Sequence, residues 1–156
     1  MKVTDFLSPA NALVETRHLE KTALLTELCE RAARELGLDP RPVVSAILAR
    51  EELGSTGVGG GIAIPHARLP WLDRRFGLLA RLKRPIGFEA IDGQPVDIVF
   101  LLLSSDKAQD ESLSALACVA RALRNANTLA RLRQAKTGED VYAAVAADGE
   151  AAQVAV

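Results

Sequence analysis

The chain has 156 residues, 49% of them apolar and 25% charged, and a formal net charge of -1 at neutral pH. That length accommodates one domain with a sizeable core and leaves no room for a second. Acids and bases are interspersed, so there is no basic stripe of the kind a nucleic-acid partner requires, and the longest apolar run, Ile98 to Leu103, is far too short to cross a bilayer.

The N-terminal stretch "MKVTDFLSPANALV" has Asp5 and Pro9 where a secretory leader needs an unbroken apolar core, which predicts a cytoplasmic protein without direct membrane insertion. Leu24, Leu25, Leu28, Cys29, Ala32 and Leu36 then recur at three-to-four-residue spacing, predicting an amphipathic helix closed by Gly37. In "LDPRPVVSAILAREELG", Asp39 is placed to cap a second helix, Pro40 to occupy its first position and Gly54 to end it, with Val43, Ile47 and Leu48 on the apolar face. A glycine-rich loop follows. "GIAIPH" reads as a short strand whose Pro65 confines its end to an edge, a bulge or a turn, leaving His66 at the strand's exit.

"FGLLARLKR" places Phe76, Leu78, Ala80 and Leu82 on one face, whereas "VDIVFLLLS" is apolar on both and reads as a central strand covered by helices. The Asp-Gly pair in "AIDGQP" predicts a hairpin-like return between them. Leu113, Leu116, Ala117, Ala120 and Leu123 mark a third helix, acidic at its start and basic at its end; "NTLARLRQA" makes a short fourth. "TGEDVYAAVA" opens a fifth with a capping box of Thr137 and Asp140. The expected fold class is therefore α/β: one domain over residues 1–148, a sandwich with a mixed β-sheet flanked by helices on both faces, then a frayed tail over 149–156.

Five glycines lie between positions 54 and 61. They would let backbone amides approach an anion, and they equally suit a tight exposed connection. A triphosphate loop is excluded because no lysine follows Gly59 or Gly60; a dinucleotide fingerprint begun at Gly57 ends on Ile62 and follows a helix rather than a strand. His66, behind a rigid proline and with Arg50 and Arg68 near it in sequence, is open to three readings: nucleophile, general base or surface residue. No G-x-S-x-G elbow supports a hydrolase, and His18, among Arg17, Glu20 and Lys21, reads as solvated. Cys29 and Cys118 stand alone and read as small buried hydrophobes; without a zinc spacing, neither a metal nor a cofactor is expected.

The segment "AREELGSTGVGGGIAIPHAR" resembles the active-site stretch of the fructose/mannitol-type IIA proteins of the bacterial phosphoenolpyruvate-dependent phosphotransferase system. The likeness continues through "LLARLKRPIGFEAIDGQPVDIVFLLLSS" to about Ala146, and its pattern is most similar to the nitrogen-regulatory IIA branch. The resemblance implies a phosphotransferase component in which His66 accepts a phosphoryl group from a histidine phosphocarrier (HPr- or NPr-like) and holds it as phosphohistidine, and it suggests Nε2 as the ring nitrogen, a choice set by hydrogen bonds that the sequence does not show. It makes Arg50 the matching cation and the amides of Thr56 and Gly57 expected phosphate donors. Gly59 and Gly60 become low ground for a docked partner, with Arg68 either at its rim or an exposed strand-end arginine with a purely solubilising role.

Many relatives carry a second histidine in a Glu-His-Leu context where this chain has Ser112, an expected phosphate-binding residue that can donate a hydrogen bond to a phosphoryl oxygen but carries no charge. That departure favours a regulator, acting on a transporter, sensor kinase or metabolic enzyme, over a sugar-specific IIA that passes its phosphoryl group to a IIB component. A binding module that has lost the relay is the third reading.

Overall fold

The computed structural model describes residues 1–106 and 109–154 of the chain. Two 3-10 turns, Val3–Asp5 and Pro9–Asn11, precede β1 (Ala12–Glu15), α1 (Lys21–Leu36) and α2 (Pro40–Glu52). Four strands of very different length follow: β2 (Gly57–Gly59), β3 (Ile62–Ala63), β4 (His66–Leu69) and β5 (Phe76–Ile86). The chain closes with β6 (Val96–Ser105), α3 (Gln109–Arg124), α4 (Ala126–Gln134) and α5 (Gly138–Val154). The last two positions of the stretch expected to fray, 155 and 156, lie outside the described residues.

The helix boundaries follow their local chemistry. Gly37 adopts the left-handed conformation at φ 69° and its N–H closes the last turn of α1, a position where a side chain would be strained. The Asp39 carboxylate accepts the Arg41 N–H at the start of α2, which Pro40 enters without wasting a donor. Leu53 caps the other end of α2, and the expected terminator Gly54 follows it. Thr137 and Asp140 exchange bonds reciprocally, the Asp140 N–H donating to Thr137 Oγ1 and the Thr137 N–H to Asp140 Oδ2, as a capping box requires.

The sheet is mixed, in the order β1-β5-β6-β3-β2, with β4 also on β6. Strands β5 and β6 form the antiparallel hairpin foreseen around the Asp-Gly turn. One face of the sheet, with Leu78, Ala80, Leu82, Val99, Leu101 and Leu103, packs on Leu24, Leu28, Val43 and Ile47 of α1 and α2. The other, with Leu79, Ile98, Phe100 and Leu102, packs on Val119, Leu123, Leu132 and Val141 of α3 to α5. The alternation of two covered faces accounts for the continuously apolar β6. Both cysteines are buried, and burial pushes the Cys29 thiol up to about 12, so it stays protonated as part of the core.

Strand β4 departs from expectation. His66 does not sit where a strand leaves the sheet; it opens a new run of pairing. The register is the same on both sides of Pro65, with Ile62 opposite Ile98, Ala63 opposite Val99 and His66 opposite Leu102. Pro65 forfeits its own donor, yet its carbonyl still accepts the Leu102 N–H at 2.9 Å, so the ladder is interrupted rather than ended.

The glycine loop resolves into β2 and a tight hairpin into β3, in which Gly59, Gly60 and Gly61 have φ of 98°, 67° and 81°. Gly61 is doubly constrained: a Cβ there would lie 2.5 Å from the Arg133 guanidinium and 2.8 Å from the Asp97 carboxylate, which pair with each other. Gly61→Ala is expected to destabilise the fold by about 2 kcal/mol, from positive φ and the clash together. Urea unfolding checks this.

Candidate functional site

His66 is half-buried at the start of β4. The Ile64 N–H donates to Thr56 O, the last pairing on that side of the strand, and the Ile64 carbonyl faces the same way with no strand beside it. The imidazole takes that carbonyl: Nδ1 lies 2.7 Å from Ile64 O. A carbonyl oxygen has no proton to offer, so Nδ1 is the donor, and in the neutral ring Nε2 holds the bare lone pair.

Arg50 stands in the last turn of α2, where the negative end of the helix favours a cation. Its Nη1 donates to Gly54 O at 2.9 Å, which bends the guanidinium back over the loop leading to β2. The next residue, Glu51, has the wrong sign for a helix C-terminus, and the structure gives the reason. Its carboxylate is buried, pairs with Lys21 Nζ at 2.9 Å, and accepts the Thr56 N–H at 3.2 Å and the Thr56 hydroxyl. Lys21 also donates to Phe88 O at 3.2 Å and lies 4.6 Å from the centre of the Phe88 ring. This network ties the start of α1 and the end of α2 to the chain entering β2. Glu51→Ala, which strands the Thr56 amide and leaves Lys21 with the Phe88 carbonyl and the exposed Glu89 carboxylate at 3.7 Å, is expected to cost about 2 kcal/mol in urea unfolding.

His66 and Arg68 of β4, Leu102 and Ser104 of β6, Arg50 and Leu53 of α2, and Ser112, Leu113 and Leu116 of α3 line one open cleft of about 580 Å³. The two helical layers meet there around the free edge of β4. Residues separated by 16 and 46 positions in sequence from His66, namely Arg50 and Ser112, are thus brought to it. The Ser112 hydroxyl donates to Ser105 O at 3.2 Å. Leu53 and Leu113 stand 85% and 60% exposed on opposite sides of the cleft, an apolar rim around a basic floor.

Four expected site residues are not brought to this cleft. The Thr56 amide is bound to Glu51 and the Gly57 amide donates to Ser55 Oγ at 3.0 Å, so neither is offered to a phosphoryl group. Gly59 and Gly60 lie at the opposite end of the β3–β4 run, where Gly59 pairs with Ile62, four residues before His66 and so about 13 Å away at strand rise. There the Gly60 N–H donates to Asp92 Oδ2 and the Gly60 carbonyl accepts from Arg133. These glycines serve the hairpin, because positive φ is needed there and not at the histidine. Among the described residues no group of three or more His, Cys, Asp and Glu side chains could hold a metal ion, and no helix is long and apolar enough to cross a membrane.

Comparison with known proteins places the fold in a family. Residues 5–147 match the family described as phosphoenolpyruvate-dependent sugar phosphotransferase system, EIIA 2. The chain is 44% identical over 146 residues to the nitrogen regulatory protein of Bradyrhizobium diazoefficiens, covering 94% of this chain and 95% of that one. Its fold is similar to the crystal structure of nitrogen regulatory protein IIA-Ntr from Neisseria meningitidis, with a TM-score of 0.84 and 32% identity over 92% of this chain and 98% of the other. It also shares the fold of Escherichia coli enzyme IIA for mannitol, solved in complex with phosphorylated enzyme IIB, at a TM-score of 0.71 and 18% identity over 86% and 94% of the two chains. The chain belongs to the type 2 EIIA family of the phosphoenolpyruvate-dependent sugar phosphotransferase system.

Proposed function

We propose that this protein is a regulatory IIA component that takes a phosphoryl group onto His66 Nε2 from a histidine-phosphorylated carrier protein and controls its partners through that charge. The observation that carries the reading is the hydrogen bond from Nδ1 to Ile64 O, which leaves Nε2 as the nucleophile beside the cationic Arg50. The Nε2 lone pair forms the new N–P bond while the donor's N–P bond breaks, its electron pair returning to the donor's ring nitrogen. No base is needed, because no proton has to leave Nε2. The positive charge that the ring acquires is shared with the Nδ1–H, and the Ile64 carbonyl accepts from it. Arg50 offers its remaining N–H groups to the phosphoryl oxygens as charge moves.

Regulation follows from electrostatics at the rim. A phosphoryl group brings about two negative charges into a cleft whose cations are Arg50 and Arg68. The surface bounded by Leu53 and Leu113 changes from basic and apolar to near neutral, and a partner matched to one state is rejected by the other. The 44% identity to a nitrogen regulatory protein over most of both chains supports a regulator ahead of a sugar-specific IIA.

Incubation with phosphoenolpyruvate, enzyme I and a histidine phosphocarrier, followed by mass mapping, should find an acid-labile phosphoryl group on His66. An unmodified chain, under conditions that charge another IIA protein, would reduce the site to a contact surface. Rapid onward transfer to a sugar-specific IIB component would instead assign the chain to sugar delivery.

A further inference from the structure

We infer that Arg68 is a second cationic ligand of the phosphoryl group, gripping its oxygens from the strand side while Arg50 does so from the helix side; this rests on His66 being the acceptor. His66 and Arg68 are two apart on β4 and lie opposite Leu102 and Ser104 of β6. Alternate strand residues share a face, so both project from one face with their origins about 7 Å apart. An arginine side chain spans that distance. Both residues line the same cleft with Arg50 and Ser112.

The state of the neighbouring groups leaves room for Arg68. A phosphoryl group on Nε2 presents three oxygens and about two negative charges. The amides of Thr56 and Gly57 are engaged elsewhere, Arg50 gives one N–H to Gly54 O, and the Ser112 hydroxyl donates to Ser105 O. The α3 wall of the cleft, Ser112, Leu113 and Leu116, brings no positive charge.

Arg68, by contrast, is exposed and has no hydrogen bond or ion pair among the described residues. Arg17, Arg41, Arg81 and Arg133 all have partners. Arg68 is therefore a guanidinium with its whole fork available at the reacting face. It meets the oxygens with two parallel N–H groups, which an ammonium cannot do.

The test uses phosphoramidate, a donor too small to dock on a protein surface. The Nε2 lone pair attacks phosphorus, the donor's P–N bond breaks, and ammonia leaves with that electron pair and the three protons already on its nitrogen. Labelling of Arg68→Ala by phosphoramidate is expected to be about tenfold slower than that of the unmodified sequence, with Arg68→Lys between them. The phosphoryl resonance, followed by phosphorus NMR, should titrate at higher pH in Arg68→Ala, because a nearby cation favours the dianion. Both variants should unfold at the same urea concentration as the parent.

If Arg68→Ala is charged by phosphoramidate at the parent rate with an unshifted titration, and is slowed only with the carrier protein, Arg68 is a partner contact and the inference is wrong. If the parent itself gains no phosphoryl group on His66 from either donor, the proposed function falls first and the inference with it.

Discussion

With His66 replaced by alanine, the chain is expected to gain no phosphoryl group from phosphoenolpyruvate, enzyme I and a histidine phosphocarrier, a complete loss read by mass mapping. The sequence contains one other histidine, His18, and nothing prepares that ring for the reaction. It is exposed ahead of α1 and has no hydrogen-bond partner among the described residues to fix its tautomer, and the neighbouring Arg17 is held by Glu15 and Glu27. The variant should also remain folded. The His66 ring is half-exposed, belongs to neither core cluster, and among the described residues bonds only to the Ile64 carbonyl two residues before it, while β4 is held to β6 through the backbone. A stability change below about 1 kcal/mol is expected, so loss of labelling cannot be blamed on unfolding. Residual acid-labile phosphate on the folded variant would move the acceptor elsewhere.

What could be read in advance depended on whether side chains or backbone decided the feature. The spacing of Leu24, Leu25 and Leu28, the Asp39-Pro40 pair and the two apolar faces of Val96–Ser105 are side-chain signals, and each marks its element correctly. β2, by contrast, is Gly-Val-Gly; no propensity marks it, and only its pairing with β3 makes it a strand. β1 is four residues, Ala12 buried and the other three half-buried, whose partner, β5, lies more than sixty positions away. The missing N–H of Pro65 suggested that the strand stops, whereas a central neighbour as regular as β6 carries the register past one lost bond.

The site divides in the same way. His66 and Arg50 were legible because the motif holds them at fixed spacing, but the motif could not say which glycine stands near them. Composition reported pliability at positions 54–61, and the hairpin carried most of it to the far end of the strand. Glu51 had given a signal that went unread: an acid in the last turn of a helix opposes the dipole unless a cation meets it, and here Lys21 does. From the residues alone, without the resemblance, the choice of ring nitrogen was out of reach, because it turns on the hydrogen bond to the Ile64 carbonyl.

Arg50→Ala is expected to slow phosphoryl acceptance by His66 about a hundredfold at saturating carrier, with the fold intact, while Arg50→Lys recovers part of the rate. The guanidinium spends one of its five N–H groups on Gly54 O and keeps a fork for the moving phosphoryl. Because that bond is already made, the cation is in place before the donor arrives, and little reorganisation is left for the reaction step. The loss should therefore fall on the rate of transfer more than on the carrier concentration needed for half-maximal rate, since charge is redistributed only as the N–P bonds exchange. Structural consequences are small: the half-buried Arg50 gives up one hydrogen bond at a helix end, worth about 1 kcal/mol in urea unfolding. Rapid-quench labelling across carrier concentrations separates the two parameters. A variant that labels at full speed would remove Arg50 from the site, and one that merely needs more carrier would make it a docking residue; either result leaves the phosphoryl group to Arg68 alone.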